Sequence, residues 1–142
     1  MKCFSVEMTH ELTYLTWVTA LTGLLWMPYI LNRLMVGKGV LHEIGYPDTQ
    51  TVLSPWAERL KRAHANAVEN LVVFAPLVVI AHMVGVHSDA TKWAATIYLW
   101  ARVAHVVSYT FAIPWVRTLS FTVGWGCQMA FAWTILRAGG AS

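Results

Sequence analysis

The feature that most constrains the fold is an uncharged apolar segment near the start of the chain. Leu12 to Asn32 contains no charged residue, and a membrane-spanning helix needs about 20 mostly apolar residues. Pro28 lies within this segment and predicts a kink near its far end. The segment is too long for a removable signal peptide and has no small-residue cleavage site. We therefore expect it to remain as the first spanning helix.

The composition of the whole chain also indicates a membrane protein. Hydrophobic residues make up 57% of the 142 residues and charged residues only 12%, whereas soluble domains have about 25% charged residues. The eight tryptophans fit a side chain that favours the membrane–water interface. The net charge of +3 does not indicate nucleic-acid binding, because the basic residues are sparse and lie at the ends of apolar segments. A single membrane domain over residues 1–142 follows.

Apolar segments and turn formers predict an all-α integral membrane four-helix bundle. The predicted helices cover residues 12–36, 56–86, 92–114 and 117–138, and a long loop over 37–55 is rich in glycine, proline and other turn formers. Ser54 is expected to cap the second helix, with Pro55 in its first turn.

The positions of the basic residues predict the orientation in the membrane, since Lys and Arg concentrate in cytoplasmic loops. With four spans, the first and third loops share one side. That side carries Arg33, Lys38, Arg59, Lys61, Arg62 and Arg117, and the other carries Lys2, Lys92 and Arg137. We expect a multi-pass protein with the long loop in the cytoplasm.

Polar residues occur inside the predicted membrane region, where a single charge costs at least ~2.5–3.5 kcal/mol. Arg102, His105 and Tyr109 are three and four residues apart and share one side of the third helix. Five polar residues also share one face of the second helix, roughly 100° wide: Arg59, Arg62, Asn66, Glu69 and Asn70. Two such stripes need each other, or a ligand, to be tolerated in a membrane.

A structural interpretation of the stripes stays open at this point. Glu69 could pair with Arg102 and hold the bundle or an oligomer together. His105 could donate a hydrogen bond to a ligand or to a neighbouring carbonyl. No histidine belongs to a recognisable metal-ligand pattern, and Cys3 and Cys127 form no such pattern either, so we expect no metal site.

Arg117 and Thr118 open the predicted fourth helix. The N–H groups at a helix N-terminus favour an anion, so an arginine at this positive end is unfavourable unless something negative binds there. The position of Arg117 therefore predicts an anionic ligand.

Three segments resemble those of the MAPEG family, the membrane-associated proteins of eicosanoid and glutathione metabolism. Glu58–Asn70 (ERLKRAHANAVEN) resembles the helix-two signature of that family and Arg102–Tyr109 (RVAHVVSY) its helix-three signature. Pro114–Thr122 (PWVRTLSFT) resembles the segment that begins helix four. The resemblance covers about Trp56 to Leu136.

This resemblance implies a homotrimer of four-helix protomers. The short chain without an endoplasmic-reticulum tail signal leads us to expect a member from a bacterial inner membrane. The resemblance also implies that glutathione is a co-substrate held between subunits near the cytoplasmic side, and that a hydrophobic substrate arrives from the lipids. The glutathione-binding residues it implies are Arg62, Asn66, Glu69, Arg102, His105 and Tyr109. Arg117 and Thr118 would lie at the thiol end as catalytic residues.

The chemistry of glutathione agrees with these roles. Arginines suit its two carboxylates, and Glu69 suits its ammonium group. A nearby cation such as Arg117 lowers the pKa of a thiol from about 8.5 and so favours the reactive thiolate. Ala65, Phe121 and Trp125 depart from the prostaglandin synthases of the family, which have arginine, tyrosine and glutamine there, and this argues against that activity.

We therefore expect a glutathione-transferase-like enzyme, a transferase or peroxidase acting on hydrophobic electrophiles. The alternative is a non-catalytic structural, accessory or lipid-binding membrane protein, in which the polar stripes hold a trimer together. A third possibility is a different anionic thiol or a lipid in the same pocket.

Overall fold

The computed structural model describes residues 7–37, 40–45 and 51–140. Every regular element within these residues is an α-helix, in agreement with the predicted all-α class. The helices are α1 (His10–Leu24), α2 (Trp26–Val36), α3 (Val40–Ile44), α4 (Pro55–Met83), α5 (Asp89–Thr110) and α6 (Pro114–Gly139). The predictions made for Lys2, Cys3 and Lys38 fall outside the described residues.

The first predicted helix is interrupted at Leu25, between α1 and α2. Pro28 explains the position, because a proline has no N–H to donate and its ring crowds the carbonyl four residues earlier, that of Leu24. α1 ends at Leu24, and the Leu25 N–H donates to the Thr22 carbonyl at 3.3 Å. The irregularity expected near the far end of the segment therefore lies close to its middle.

The connection between α2 and α4 contains the short helix α3 inside the predicted loop 37–55. Pro55 occupies the first turn of α4 and Ser54 its N-cap position, as predicted, but the Ser54 side chain makes no capping hydrogen bond within the described residues. Ser54 Oγ accepts from Asn32 Nδ2 at 2.9 Å, and the Ser54 N–H donates to Asn32 Oδ1 at 3.0 Å. The Ser54 side chain therefore bonds to the buried Asn32 amide instead of capping its own helix, and these two hydrogen bonds link the start of α4 to α2.

Two tight turns join the three long helices α4, α5 and α6. Gly85 follows α4 with φ of +72°, and Ala112 follows α5 with φ of +59°. Glycine adopts this left-handed conformation freely, whereas alanine does so at a cost of about 1–2 kcal/mol. The α5–α6 turn therefore contains backbone strain that the α4–α5 turn lacks.

The apolar core joins α1, α4, α5 and α6. Phe74 stacks on Tyr98 with ring centroids 3.7 Å apart and meets Phe131 edge-on at 5.6 Å. These three rings come from three different helices and are fully buried, and Val18 adds α1 to the same cluster. All eight tryptophans are exposed on the surface of the protomer, as expected for side chains that contact lipid and its interface.

Three described segments are long and apolar enough to cross a membrane, namely 10–36, Pro55–Met83 and Pro114–Gly139. The chain is therefore an integral membrane protein. α5 is not among the three, although it has 22 residues, and it contains Asp89, Lys92 and Arg102. The predicted count of four spans depends on α5 and stays a prediction.

Candidate functional site

Arg102 is a buried cation without a counter-charge. Its side chain lies in α5 and the residue is only 2% exposed. Its Nη2 donates to the Ser120 carbonyl at 3.4 Å, while Nε and Nη1 have no hydrogen-bond partner. No carboxylate in the described part of the chain forms a salt bridge with it. Because an unpaired buried charge is costly, an anion beside these unused N–H groups would be strongly stabilised.

His105 follows Arg102 by one helical turn and is also buried. Its Nδ1 lies 3.1 Å from the Arg117 carbonyl. A carbonyl oxygen only accepts, so Nδ1 carries the proton, and Nε2 of the neutral ring is an acceptor. Nε2 has no partner among the described residues. The sequence left open whether His105 donates to a ligand or to a neighbouring carbonyl, and the structure shows donation from Nδ1 to the Arg117 carbonyl. Its Nε2 is left as a hydrogen-bond acceptor for a ligand.

Arg117 ends the first turn of α6 and Thr118 begins the second, and both are exposed. The Arg117 guanidinium packs over the Tyr109 ring, with Cζ 5.1 Å from the ring centroid. Thr118 Oγ1 donates to the Pro114 carbonyl of its own helix at 3.1 Å. The structure thus brings four predicted residues together, and we call Arg102, His105, Tyr109 and Arg117 the α5–α6 cluster.

A cavity of about 210 Å³ lies at this end of the molecule, between the start of α4, the α5–α6 turn and α6. Arg59, Tyr109 and Arg117 contribute to its wall. Arg59 Nε donates to the Thr110 carbonyl at 2.8 Å, a bond that uses only one of its nitrogens. α6 begins here at Pro114 without a side-chain cap, and the Arg117 N–H donates to the Ile113 carbonyl, so the N–H groups of Trp115 and Val116 are the ones left at this helix end. Two guanidinium groups and a helix N-terminus together favour an anion.

The predicted residues of α4 lie apart from the α5–α6 cluster. Arg62 is exposed and pairs with Glu58 at 3.6 Å, one turn away on the same helix. Glu69 is exposed, and Asn66 is half-buried with an unpartnered Oδ1. No carboxylate of α4 forms a salt bridge with Arg102 within the described residues, so the Glu69–Arg102 pair considered above is not formed there. The face of α4 that packs against the other helices consists mainly of alanines and Phe74, so the face with Arg62 and Glu69 points away from the protomer.

Sequence reasoning missed three residues that contact or border the cluster. Arg59 belonged to the predicted polar face but not to the predicted ligand set. Phe121 was considered only as the loss of a hydroxyl, yet its ring centroid lies 5.8 Å from Arg102 Cζ. A Cβ on Gly124 would lie 2.5 Å from Arg102 Nη2. Helical spacing places Phe121 and Gly124 on one face of α6, but it does not reveal which helix that face meets.

An apolar groove of about 570 Å³ runs along the outer surface between α5 and α6. Trp93, Ile97 and Trp100 line it from α5, and Ser120 and Val123 line it from α6. The groove borders the cluster, because the Ser120 carbonyl is also the acceptor for Arg102. The groove and the cluster therefore meet at Ser120, while Arg102 and His105 lie behind the groove wall.

The α5–α6 cluster fits a ligand that is anionic and also carries a hydrogen-bond donor. Arg102 supplies unused donors and His105 Nε2 an unused acceptor, both buried. Glutathione has two carboxylates, an ammonium group and a thiol, so its groups match this set in kind. The described residues contain no group of three or more His, Cys, Asp or Glu that could hold a metal ion.

Comparison with known proteins places the chain in a family. Residues 14–137 match the model described as MAPEG family. The chain is similar to "Microsomal glutathione S-transferase 1" of Mus musculus and of Rattus norvegicus, each 32% identical over 82 residues, and to that of Homo sapiens at 29%. Each match covers 57% of this chain and 53% of the relative, so the match spans about half the length of these relatives. The family match covers most of the chain, and the protein therefore belongs to the MAPEG family.

Proposed function

We propose that the protein is a glutathione-dependent membrane transferase or peroxidase that acts on hydrophobic electrophiles. The observation that carries this proposal is the buried pair of Arg102, with two unused N–H groups, and His105, with an unpaired Nε2. Together they select a ligand that is anionic and carries a proton donor. The glutathione named in the relatives' descriptions is such a ligand.

The residues take the following roles in this proposal. Arg102 binds a glutathione carboxylate through charge-assisted hydrogen bonds, and His105 Nε2 accepts one from an N–H or S–H group. Arg117 and the α6 N-terminus stabilise the thiolate, with Thr118 beside them. In conjugation, the sulfur forms a bond to the electrophilic carbon as chloride or another leaving group departs. In peroxide reduction, the sulfur attacks one peroxide oxygen, the alcohol leaves, and a second glutathione yields the disulfide and water.

The exposed polar face of α4 supports an intersubunit site. Glu69 lies near the middle of a 29-residue helix able to cross a membrane, and a carboxylate facing lipid there is costly. A second copy covering this face would remove that cost. We therefore propose a homotrimer of four-helix protomers in which Arg62, Asn66 and Glu69 complete the site. The proposal includes a bacterial inner-membrane location with the long loop in the cytoplasm.

The hydrophobic substrate would approach through the apolar groove between α5 and α6. Trp93 and Trp100 present apolar surface to the lipid phase, and Ser120 marks the end next to the cluster. Holding the electrophile beside a bound thiolate supplies proximity, which is the main requirement of a conjugation reaction.

The test is a titration of the purified protein in detergent with glutathione, followed by thiolate absorbance and by turnover of a chlorinated aromatic substrate. Arg117→Ala should lower turnover by about 10²–10³-fold, the effect of removing one charge-stabilising group, and leave the oligomer mass unchanged. Arg137→Ala is the matched control, because Arg137 also packs on an aromatic ring, Trp133, at 4.9 Å but lies at the opposite end of α6. Absence of binding at millimolar glutathione would refute the proposal.

The rival is a non-catalytic structural, accessory or lipid-binding protein, and the apolar groove is the observation that favours it. Under this alternative Arg117→Ala leaves function intact, while Glu69→Ala or Arg102→Ala breaks the assembly. If a different anionic thiol or a lipid occupies the site, it displaces glutathione in a competition experiment.

A further inference from the structure

We propose that Phe121 and Gly124 are positioning residues that hold the Arg102 guanidinium in place with its Nε–H and Nη1–H free for an anionic ligand. The identity of that ligand rests on the function proposed above, whereas the arrangement of Arg102, Phe121 and Gly124 does not.

Two aromatic rings stabilise the charge. Arg102 Cζ lies 5.4 Å from the Tyr98 ring centroid and 5.8 Å from that of Phe121, within the range of a cation–π interaction. Tyr98 is fully buried, while Phe121 is 40% exposed and forms the outer side. Such an interaction is stronger where water is excluded, and Arg102 has almost no contact with solvent.

Gly124 provides the space for the guanidinium. An added Cβ at this position would lie 2.5 Å from Nη2 and 3.1 Å from both Cζ and Nε. Arg102 therefore occupies the volume that any other residue at 124 would fill. Because the clashing atoms are the tip of a flexible side chain, Gly124→Ala should displace the guanidinium and spare the backbone of α6.

The donors stay unused because aromatic rings stabilise a cation without accepting its hydrogen bonds. A carboxylate in place of Phe121 would neutralise Arg102 and occupy Nε and Nη1. The only hydrogen bond of the guanidinium in the described residues is the 3.4 Å contact of Nη2 with the Ser120 carbonyl. The ring at position 121 thus keeps the arginine both charged and available.

The first experiment needs no ligand. In arginine-¹⁵N-labelled protein in detergent, the Arg102 Nε–H signal, assigned with Arg102→Lys, should be shifted upfield by the ring currents of Tyr98 and Phe121. Phe121→Leu should move the signal downfield, and Phe121→Tyr should restore it. An identical Arg102 signal in Phe121→Leu would overturn the proposed positioning of Arg102 by Phe121, whatever the protein binds.

The second experiment measures glutathione kinetics. Gly124→Ala and Phe121→Leu should raise KM for glutathione about tenfold, the loss of one favourable contact, with kcat changed by less than about twofold. Phe121→Tyr should retain the wild-type KM. Gly126→Ala is the matched control, since a Cβ there meets no atom within 4 Å.

The outcomes separate the two proposals. If the wild-type protein shows the Arg102 ring-current shift but binds no glutathione, the proposed ligand is refuted and the proposed positioning of Arg102 by Phe121 and Gly124 is not. Equal KM values for Gly124→Ala and Gly126→Ala in an active enzyme overturn the positioning role. A KM that rises to the same extent in Phe121→Tyr as in Phe121→Leu overturns it as well, because the ring would then not be the cause.

Discussion

The two ends of the molecule accommodate a buried charge in opposite ways. At the α4–α5 end, Glu11 is 2% exposed and its Oε1 accepts from Thr91 Oγ1 at 2.7 Å, while its Oε2 lies 3.6 Å from His87 Nδ1 and has no hydrogen-bond partner among the described residues. Toward the α5–α6 end, Arg102 is equally buried but has two unpartnered N–H groups. The carboxylate has a hydrogen bond and a nearby imidazole within its own chain and links α1 to the start of α5, whereas the arginine has only the 3.4 Å contact with the Ser120 carbonyl and no carboxylate beside it in the described residues.

The turns at the two ends also differ, in backbone strain and in the capping of the helix that follows. The α4–α5 turn uses glycine at its left-handed position, and the capping box of Ser88 and Thr91 satisfies the start of α5. The α5–α6 turn uses Ala112 at that position, and α6 starts without a side-chain cap. Strain and unsatisfied groups often occur together at functional sites, so the α5–α6 end is the one to test for ligand binding.

Arg102→Met should produce the largest difference between the ends. Loss of two charge-assisted hydrogen bonds, each worth roughly 1.5–3 kcal/mol, should weaken glutathione binding by about 100-fold or more. The melting temperature without ligand should stay constant or rise, because an apolar side chain replaces an unpaired buried charge. Calorimetry and thermal melts measure both quantities. A large fall in the melting temperature would show that Arg102 is a structural link like Glu11.

Glu11→Ala should have the opposite effects. It removes the charge-assisted hydrogen bond that links α1 to the start of α5, so the free energy of unfolding should fall by about 1–3 kcal/mol, while the Thr91 hydroxyl keeps the Ser88 carbonyl as an acceptor. Affinity for glutathione should not change. Glu7→Ala is the control, since Glu7 is exposed just before α1. Unfolding in mixed micelles measures the effect, and equal stabilities of the two variants would contradict the structural role of Glu11.

Helical periodicity was the signal from which the long helices and part of the α5–α6 cluster could be predicted. The apolar segments located the long helices, and the spacing of Arg102, His105 and Tyr109 placed them on one side of α5. Contacts between helices carry no such signal. Phe121 and Gly124 pack against Arg102 of another helix, and Ser54 bonds to Asn32 of another helix. No local sequence pattern identifies such partners.

The family resemblance identified residues that the protomer alone does not bring together. Arg62, Asn66 and Glu69 were expected beside Arg102, but within one protomer they lie on the outward face of α4. A sequence pattern cannot distinguish a neighbour in the same chain from a neighbour in another copy. The position of Glu69 is therefore informative because it differs from the simplest expectation.

Exchanging the turn residues should have a smaller effect. Ala112→Gly should raise the free energy of unfolding by about 1 kcal/mol by relieving left-handed strain, and Gly85→Ala should lower it by a similar amount. If the strain at Ala112 also shapes the adjacent cavity, which Ala112 lines, Ala112→Gly should lower glutathione affinity as well. Thermal melts and binding titrations measure these changes, and equal responses of the two turns would remove this difference between the ends.

The smallest expected effect concerns a paired carboxylate outside the spanning segments. Hydrogen bonds from Thr51 and Arg33 lower the pKa of Glu43 below its ordinary value of 4.5. A carboxyl whose pKa is lowered on folding contributes stability above its unfolded value, and loses that contribution as the pH falls through the lowered folded value. The contact of α3 with α2 should therefore loosen only under acid conditions below pH 4.5. A carboxyl NMR titration should give a midpoint below 4.5 for Glu43, and Glu43→Gln should abolish the acid response of the α3 amide signals. A midpoint at or above that value would mean that Glu43, unlike Glu11, is not held by its partners.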